Sequence, residues 1–136
     1  MKKIFSTATG FIQISISLLI LRLGIGALML THGWPKLLRL FEGGEISFPD
    51  PLGIGSFMSL IMATLTEVAA SVLVILGLAT RLATASLAFT MIIAVFVVHA
   101  DDPFQQKELG LIYLLVYIVL MITGSGRYSI DRLIRK

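Results

Sequence analysis

Two ionisable residues lie deep inside apolar stretches of this sequence. A charge there has a high free-energy cost, so its presence indicates a structural or functional role. Arg22 stands near the middle of one such stretch and Glu67 near the middle of the next. A charge at the centre of a bilayer costs about 2.5–3.5 kcal/mol on insertion scales, so opposite charges at matching depth are expected to pair. We predict that Arg22 and Glu67 meet, either as a structural clasp between two helices or as part of a functional site.

A second set of polar residues stands at the ends of the apolar stretches. Two histidines stand at the ends of apolar stretches, and a lysine and a glutamate stand at the start of the last stretch. If these ends meet at one rim of a bundle, their imidazole, ammonium and carboxyl groups form a proton-active cluster. The candidate catalytic groups are therefore His32, His99, Lys107, Glu108 and Glu67.

The candidate substrate-binding residues combine charged groups with two tyrosines that share one helical face. That face would lead from the rim toward the middle of the membrane. The set consists of Arg22, Glu67, Tyr113, Tyr117 and Lys36. The spacing of the histidines and acidic residues matches no recognised metal motif, so no metal site is predicted.

The composition indicates whether these residues belong to a soluble domain or to a membrane domain. Of the 136 residues, 57% are hydrophobic and 14% are charged, and the mean hydropathy is +0.95. A soluble domain of this size could not bury so much apolar surface. The sequence therefore predicts a single transmembrane domain over residues 1–136, in contact with the lipid bilayer. The net charge of +3 does not indicate binding of nucleic acid.

Four segments are long and apolar enough to cross a bilayer, which takes roughly 20 residues per helix. They predict an all-α, integral membrane four-helix bundle. The predicted spans cover about residues 11–31, 54–78, 82–98 and 105–123, with an outer loop over residues 32–53 that could include a short interfacial helix.

Lys and Arg residues near the span ends predict the orientation of the bundle, because such residues favour the cytoplasmic side. Most of them fall on the side of the two termini. Both termini are therefore predicted to be cytoplasmic, with the residue 32–53 loop and the Asp101–Asp102 turn facing outward.

Three segments of the sequence resemble motifs of the DoxX family of bacterial membrane proteins. The first runs from Arg22-Leu-Gly-Ile-Gly to His32-Gly-Trp-Pro-Lys36. The second is Glu67 followed by Leu76-Gly-Leu-Ala-Thr-Arg81, and the third runs from Lys107-Glu108 to Gly124-Ser-Gly-Arg-Tyr-Ser-Ile-Asp131. Their order and spacing, which extend over nearly the whole chain, carry the resemblance.

The resemblance implies a multi-pass protein of the bacterial cytoplasmic (inner) membrane with a redox role. Some members of the family form the membrane subunit of a thiosulfate:quinone oxidoreductase, and others associate with redox-defence complexes. The sequence has no cysteine and no haem, flavin or iron–sulfur motif, so no intrinsic cofactor is expected. Any electron-transfer cofactor would then belong to a partner protein.

Three functions remain open at this stage. The first is an oxidoreductase subunit that takes a quinone or a similar lipophilic substrate into the bundle. The second is a non-catalytic membrane anchor or assembly partner of a redox enzyme. The third is a small transporter, which would need a homo-oligomer because four spans are few for a transport path and no broken half-helices are evident.

Overall fold

The fold consists of four long helices and one short helix. This computed structural model describes residues 7 and 9–135, and no strand occurs among them. The helices are α1 (Phe11–Glu42), α2 (Ser56–Leu76), α3 (Thr80–Val98), α4 (Phe104–Thr123) and α5 (Ile130–Ile134). The first four are long and apolar enough to cross a membrane, which confirms the predicted all-α bundle with four spans.

The first span is longer than predicted. α1 continues as one helix to Glu42, so the loop predicted for residues 32–53 starts only at residue 43, and no separate interfacial helix forms. Pro35 lies inside α1 and removes one backbone N–H donor. Membrane helices tolerate proline where neighbouring helices hold the chain in place. Here Gly33 packs closely against α2 and Lys36 is bonded to it. The other three spans begin and end within two residues of their predicted bounds.

The helices pack as an antiparallel ring in which α1 contacts α2 and α4, while α3 contacts the same two helices. Residues 43–55 and 99–103 connect helices at one end, which we call the loop end. The start of α1, the end of α4 and α5 lie at the other, which we call the termini end. Small residues on α1 set its register against α2, because a Cβ on Gly26 would lie 2.5 Å from Ile75 Cγ1 and 3.2 Å from Ser71 O.

Two helices are locally wound as π-helix. Thr66–Ala70 forms such a turn within α2, and Ala94–Val98 forms another at the end of α3. A π turn accommodates an extra residue and re-aims the side chains around it, and such turns occur frequently at functional sites. The sequence pattern carries no sign of either turn.

Asp50 fixes the start of α2 at the loop end. Its carboxylate accepts hydrogen bonds from the backbone N–H groups of Ile54 (2.9 Å) and Gly55 (2.8 Å) and from the Ser59 hydroxyl (2.9 Å). The bond from Gly55 is the strongest of the influences that lower the pKa of Asp50. Asp50 thus holds the end of the loop against the first turn of α2, which it reaches through the Ser59 hydroxyl.

Candidate functional site

A buried ion pair joins α1 to the middle of α2. Lys36 Nζ lies 2.5 Å from Glu67 Oε1 and 2.6 Å from Glu67 Oε2. The Glu67 side chain is 5% exposed and the Lys36 side chain is 29% exposed. The carboxylate is therefore enclosed in the bundle, while the lysine stem reaches it from the loop end.

The predicted Arg22–Glu67 contact is wrong, and the helix register explains why. A Cβ on Gly33 would lie 3.1 Å from Glu67 Cβ, so these two residues face each other across α1 and α2. Arg22 is about 16 Å from Gly33 along the axis of α1, at 1.5 Å per residue. Arg22 and Glu67 thus lie at different depths, and Lys36, one turn beyond Gly33, takes the place predicted for Arg22.

The ion pair forms one wall of a cleft of about 170 Å³. The cleft extends from the first turns of α4 down to Glu67 and is lined by side chains of all four spans. Its lining residues are Met29, His32, Lys36, Glu67, Met91, Ala94, Val95, His99, Gln106, Leu109, Gly110 and Tyr113.

Each π turn beside this cleft meets a glycine on the facing helix. On α1, a Cβ at Gly33 would lie 2.9 Å from Val68 Cγ2 in the π turn of α2. On α4, a Cβ at Gly110 would lie 2.6 Å from Val95 Cγ2 in the π turn of α3. The missing side chains let the π turns approach their neighbours, and this close packing aims Glu67 toward the cleft.

Two aromatic rings, His32 and Tyr113, form one side of the cleft, and a third ring lies behind them in the core. The His32 ring meets the edge of the Tyr113 ring at 5.7 Å and 88°, and Tyr113 stacks on Tyr117 at 6.0 Å and 27°. The Tyr117 hydroxyl is buried and has no hydrogen-bond partner among the described residues. A buried hydroxyl without a partner is unusual and indicates a place for water or a ligand group. The two tyrosines do share the face that the sequence predicted.

Of the four residues that were predicted to converge at the rim, two line the cleft and two do not. His32 and His99 line the cleft, and His99 Nδ1 lies 2.5 Å from Asp102 Oδ2. Lys107 instead donates to the Ala100 carbonyl, at 2.5 Å, in the turn between α3 and α4. Glu108 is exposed and does not line the cleft. The cleft therefore brings together His32 and His99 but neither Lys107 nor Glu108, and the proton roles of all four residues stay predictions.

Arg22 belongs to a separate arrangement at the termini end. Its guanidinium donates to the carbonyl oxygens of Ser125, Tyr128 (2.9 Å) and Ile75 (3.4 Å), and its side chain is fully buried. The interactions tie the chain after α4 to the end of α2. Arg22 is thus a structural clasp, although its partners are backbone carbonyls and not Glu67.

Asp131 completes this arrangement, and we call Arg22, Asp131 and their partners the termini latch. The Asp131 carboxylate accepts from the backbone N–H groups of Ala79 (2.7 Å) and Thr80 (3.1 Å), at the start of α3. Burial alone would raise the pKa of Asp131, but the hydrogen bonds from Thr80 and Ala79 outweigh it, so the pKa is lowered.

Several cleft residues carry no signal that sequence reasoning could use. Met29 and Met91 look like ordinary core residues, and Gln106 looks like a solvated helix start. Gly33 and Gly110 reveal their importance only through the contacts that a side chain would break. Among the described residues no group of three His, Cys, Asp or Glu could hold a metal ion.

Comparison of the sequence with known proteins identifies a family and several relatives. The DoxX family model matches residues 17–100. The protein named "Putative oxidoreductase CatD" of Bacillus subtilis (strain 168) is 36% identical over 124 residues, which cover 89% of each chain. The inner membrane protein YqjF of Escherichia coli (strain K12) is 27% identical over 125 residues, which cover 89% of this chain and 94% of the relative.

An uncharacterised protein of Haemophilus influenzae is 30% identical over 121 residues, 82% of this chain and 85% of its own length. No solved structure matches the chain. The family match and the Bacillus relative each extend over more than half of the sequence. This chain therefore belongs to the DoxX family.

Proposed function

We propose that this protein is a membrane subunit of a redox system that binds a quinone, head group first, in the cleft beside Glu67. The observation that carries the proposal is the Lys36–Glu67 pair at the inner wall of a cleft between the four spans. Charged side chains inside membrane spans are costly and commonly mark pathways for substrates or protons. The name of the Bacillus relative, which describes an oxidoreductase, agrees with a redox role.

The size of the cleft fits a ring and excludes a complete lipid-soluble molecule. Its volume of about 170 Å³ is many times what one water requires, roughly 10–15 Å³. It is smaller than the roughly 300–1,000 Å³ of sites that enclose a whole drug-sized ligand. A quinone ring would enter, and its tail would remain outside. Leu109 lines the cleft and is 51% exposed, so the cleft borders the surface that faces lipid.

The groups around the cleft suit the oxygen atoms of a quinone. The Lys36 ammonium can donate a hydrogen bond to one carbonyl oxygen, and the histidines or Tyr113 can donate to the other. Reduction of a quinone to a quinol takes two electrons and two protons. The electrons would come from a redox partner protein. The protons would enter from the loop end through His99, whose ring nitrogen is paired with Asp102.

The proposal includes a location. The protein would be a multi-pass protein of the bacterial cytoplasmic membrane, like the relative named an inner membrane protein. With both termini cytoplasmic, as the Lys and Arg distribution predicts, the cleft would lie toward the outer leaflet. Protons for the reaction would then come from the outer side.

Binding can be followed through the only tryptophan, Trp34, which lies on α1 between His32 and Lys36. The purified protein in nanodiscs would be titrated with the tail-less naphthoquinone menadione, a quinone that can quench tryptophan fluorescence. We expect saturable quenching that Glu67→Gln weakens and that Arg39→Gln, an exposed cation on the same helix, leaves unchanged. Linear quenching, identical in the three proteins, would reflect partition into lipid and would refute the proposal.

A non-catalytic role as an anchor or assembly partner has one specific observation in its favour. α1 spans about 48 Å, against about 30 Å for the hydrocarbon core, so its last turns extend beyond a typical membrane. Trp34, Leu38 and Phe41 are exposed there. The double substitution Lys36→Glu with Glu67→Lys separates the two functions. An anchor tolerates the reversed pair, whereas quinone binding is lost when the acidic and basic groups change places.

A further inference from the structure

A second and larger cavity, of about 900 Å³, opens at the termini end, far from the quinone cleft. It lies between the start of α1, the start of α3, the end of α4 and α5. The termini latch forms part of its floor through Asp131 and Thr80. Neither the proposed quinone chemistry nor the packing of the spans requires an open space here.

The walls of this cavity are divided by chemistry. Phe11, Ile14 and Leu18 of α1, together with Leu82 of α3, form an apolar side that continues along the membrane-spanning part of the bundle. Phe11, Ile14 and Leu82 are exposed in the protein itself. An apolar surface in this position is suited to a hydrocarbon chain.

The other side of the cavity is basic. Its cations come from three different parts of the chain: the start of α3, the loop after α4, and α5. They are Arg81, Arg127, Arg132 and Arg135. Arginine is well suited to phosphate because its planar guanidinium donates two parallel hydrogen bonds.

The positive charge of this side is not neutralised within the described residues. Asp131, the one acidic residue among the described lining residues, already receives hydrogen bonds from two backbone N–H groups. None of the four arginines forms a salt bridge in the part of the chain that the structure describes. Arg81 donates to the Ile122 carbonyl at 3.3 Å, and the Arg127 guanidinium lies 6.0 Å from the centre of the Phe11 ring.

We infer that this cavity binds one anionic phospholipid, with its phosphate among the arginines and an acyl chain along α1. The charge complementarity selects an anion, and the apolar wall selects one that carries a hydrocarbon chain. Basic pockets between membrane helices at the level of the head groups are a recognised form of anionic lipid site. A soluble phosphate compound would use the arginines alone and leave the apolar wall empty.

Native mass spectrometry of the detergent-solubilised protein tests this inference. The protein would be titrated with palmitoyl-oleoyl phosphatidylglycerol and, separately, with phosphatidylcholine of the same chains. We expect one phosphatidylglycerol to remain bound per chain and phosphatidylcholine to bind more weakly. Arg132→Gln with Arg135→Gln changes two exposed side chains that donate no hydrogen bond within the described residues, and should reduce the affinity about tenfold. The matched control Arg39→Gln removes a cation from the opposite end and should have no effect.

A second variant separates a built site from a general attraction of lipid head groups to positive charge. Ile14→Trp adds bulk to the apolar wall without changing any charge, and we expect it to displace the acyl chain and weaken phosphatidylglycerol binding. The inference is overturned if phosphatidylcholine binds equally well, or if the arginine pair behaves like Arg39→Gln. It is also overturned if glycerol 1-phosphate competes as well as the lipid, or if Ile14→Trp leaves the affinity unchanged.

Discussion

Removal of both members of the Lys36–Glu67 pair should lower the unfolding free energy by less than the sum of the two single removals. Lys36→Met leaves a carboxylate that is 5% exposed without a counter-ion, which we expect to cost about 3–5 kcal/mol of unfolding free energy. Glu67→Gln leaves an ammonium that is 29% exposed and can still reach water, so we expect a smaller cost of about 1–2 kcal/mol.

The double variant Lys36→Met with Glu67→Gln has no charge left to desolvate. We therefore expect it to be more stable than Lys36→Met alone, with a coupling energy of about 1–3 kcal/mol between the two sites. The assay is reversible unfolding in mixed detergent micelles, followed by circular dichroism. Arg39→Gln, which loses only a bond from an exposed side chain to the Ser47 carbonyl, should change stability by about 0.5 kcal/mol or less.

A cost of the double variant that equals the sum of the single costs to within about 0.5 kcal/mol would refute the coupling, because independent sites add in this way. The predicted order of the single costs is refuted if Glu67→Gln is the more damaging single change. In the first case the two groups do not interact, and in the second the buried carboxylate is not the group that depends on its partner.

Three further predictions concern the glycines and the termini latch. Gly110→Ala should cost about 1–3 kcal/mol in the same unfolding assay and narrow the cleft, whereas Gly24→Ala, whose new Cβ meets nothing within 4 Å, should be neutral or slightly stabilising. Gly77→Ala should lower the melting temperature more than Gly110→Ala, because φ is +69° and the new Cβ would lie 2.6 Å from Arg22 Nη1. Asp131→Asn should remove part of the acid-induced loss of stability. The lowered pKa of Asp131 stabilises the fold above the unfolded-state value near 3.8, and that contribution disappears as the pH falls below about 4 in a melting series.

The four spans could be predicted because their apolar length has one physical explanation, the thickness of the bilayer. The register of the helices along the bundle axis could not be predicted, since it depends on close contacts such as Gly26 with Ser71 and Gly33 with Glu67. These contacts set a register that brings Lys36 to Glu67 and leaves Arg22 at the termini end. The apolar pattern alone treats every register as equivalent.

The candidate site was predicted only in part for a related reason. Histidine, lysine and glutamate attract notice because burial of such residues is costly, and His32, His99, Lys36 and Glu67 all line the cleft. Lys107 does not line the cleft, because its ammonium bonds to the Ala100 carbonyl in the preceding turn, and the sequence does not distinguish such a side chain from one that turns inward. The π turns and the glycines that face them were missed, because a one-residue change in helical winding leaves hydrophobic periodicity almost intact.

We propose above all that a quinone ring occupies the cleft beside Glu67. The most direct measurement is photolabelling with an azidoquinone in nanodiscs, followed by mass spectrometry of the peptides. We predict labels on the residues that surround the cleft, foremost Tyr113, Met91 and His99, with competition by unlabelled quinone and loss in Glu67→Gln. Labels spread evenly over the lipid-facing helices, or concentrated in the cavity at the termini end, would contradict the claim.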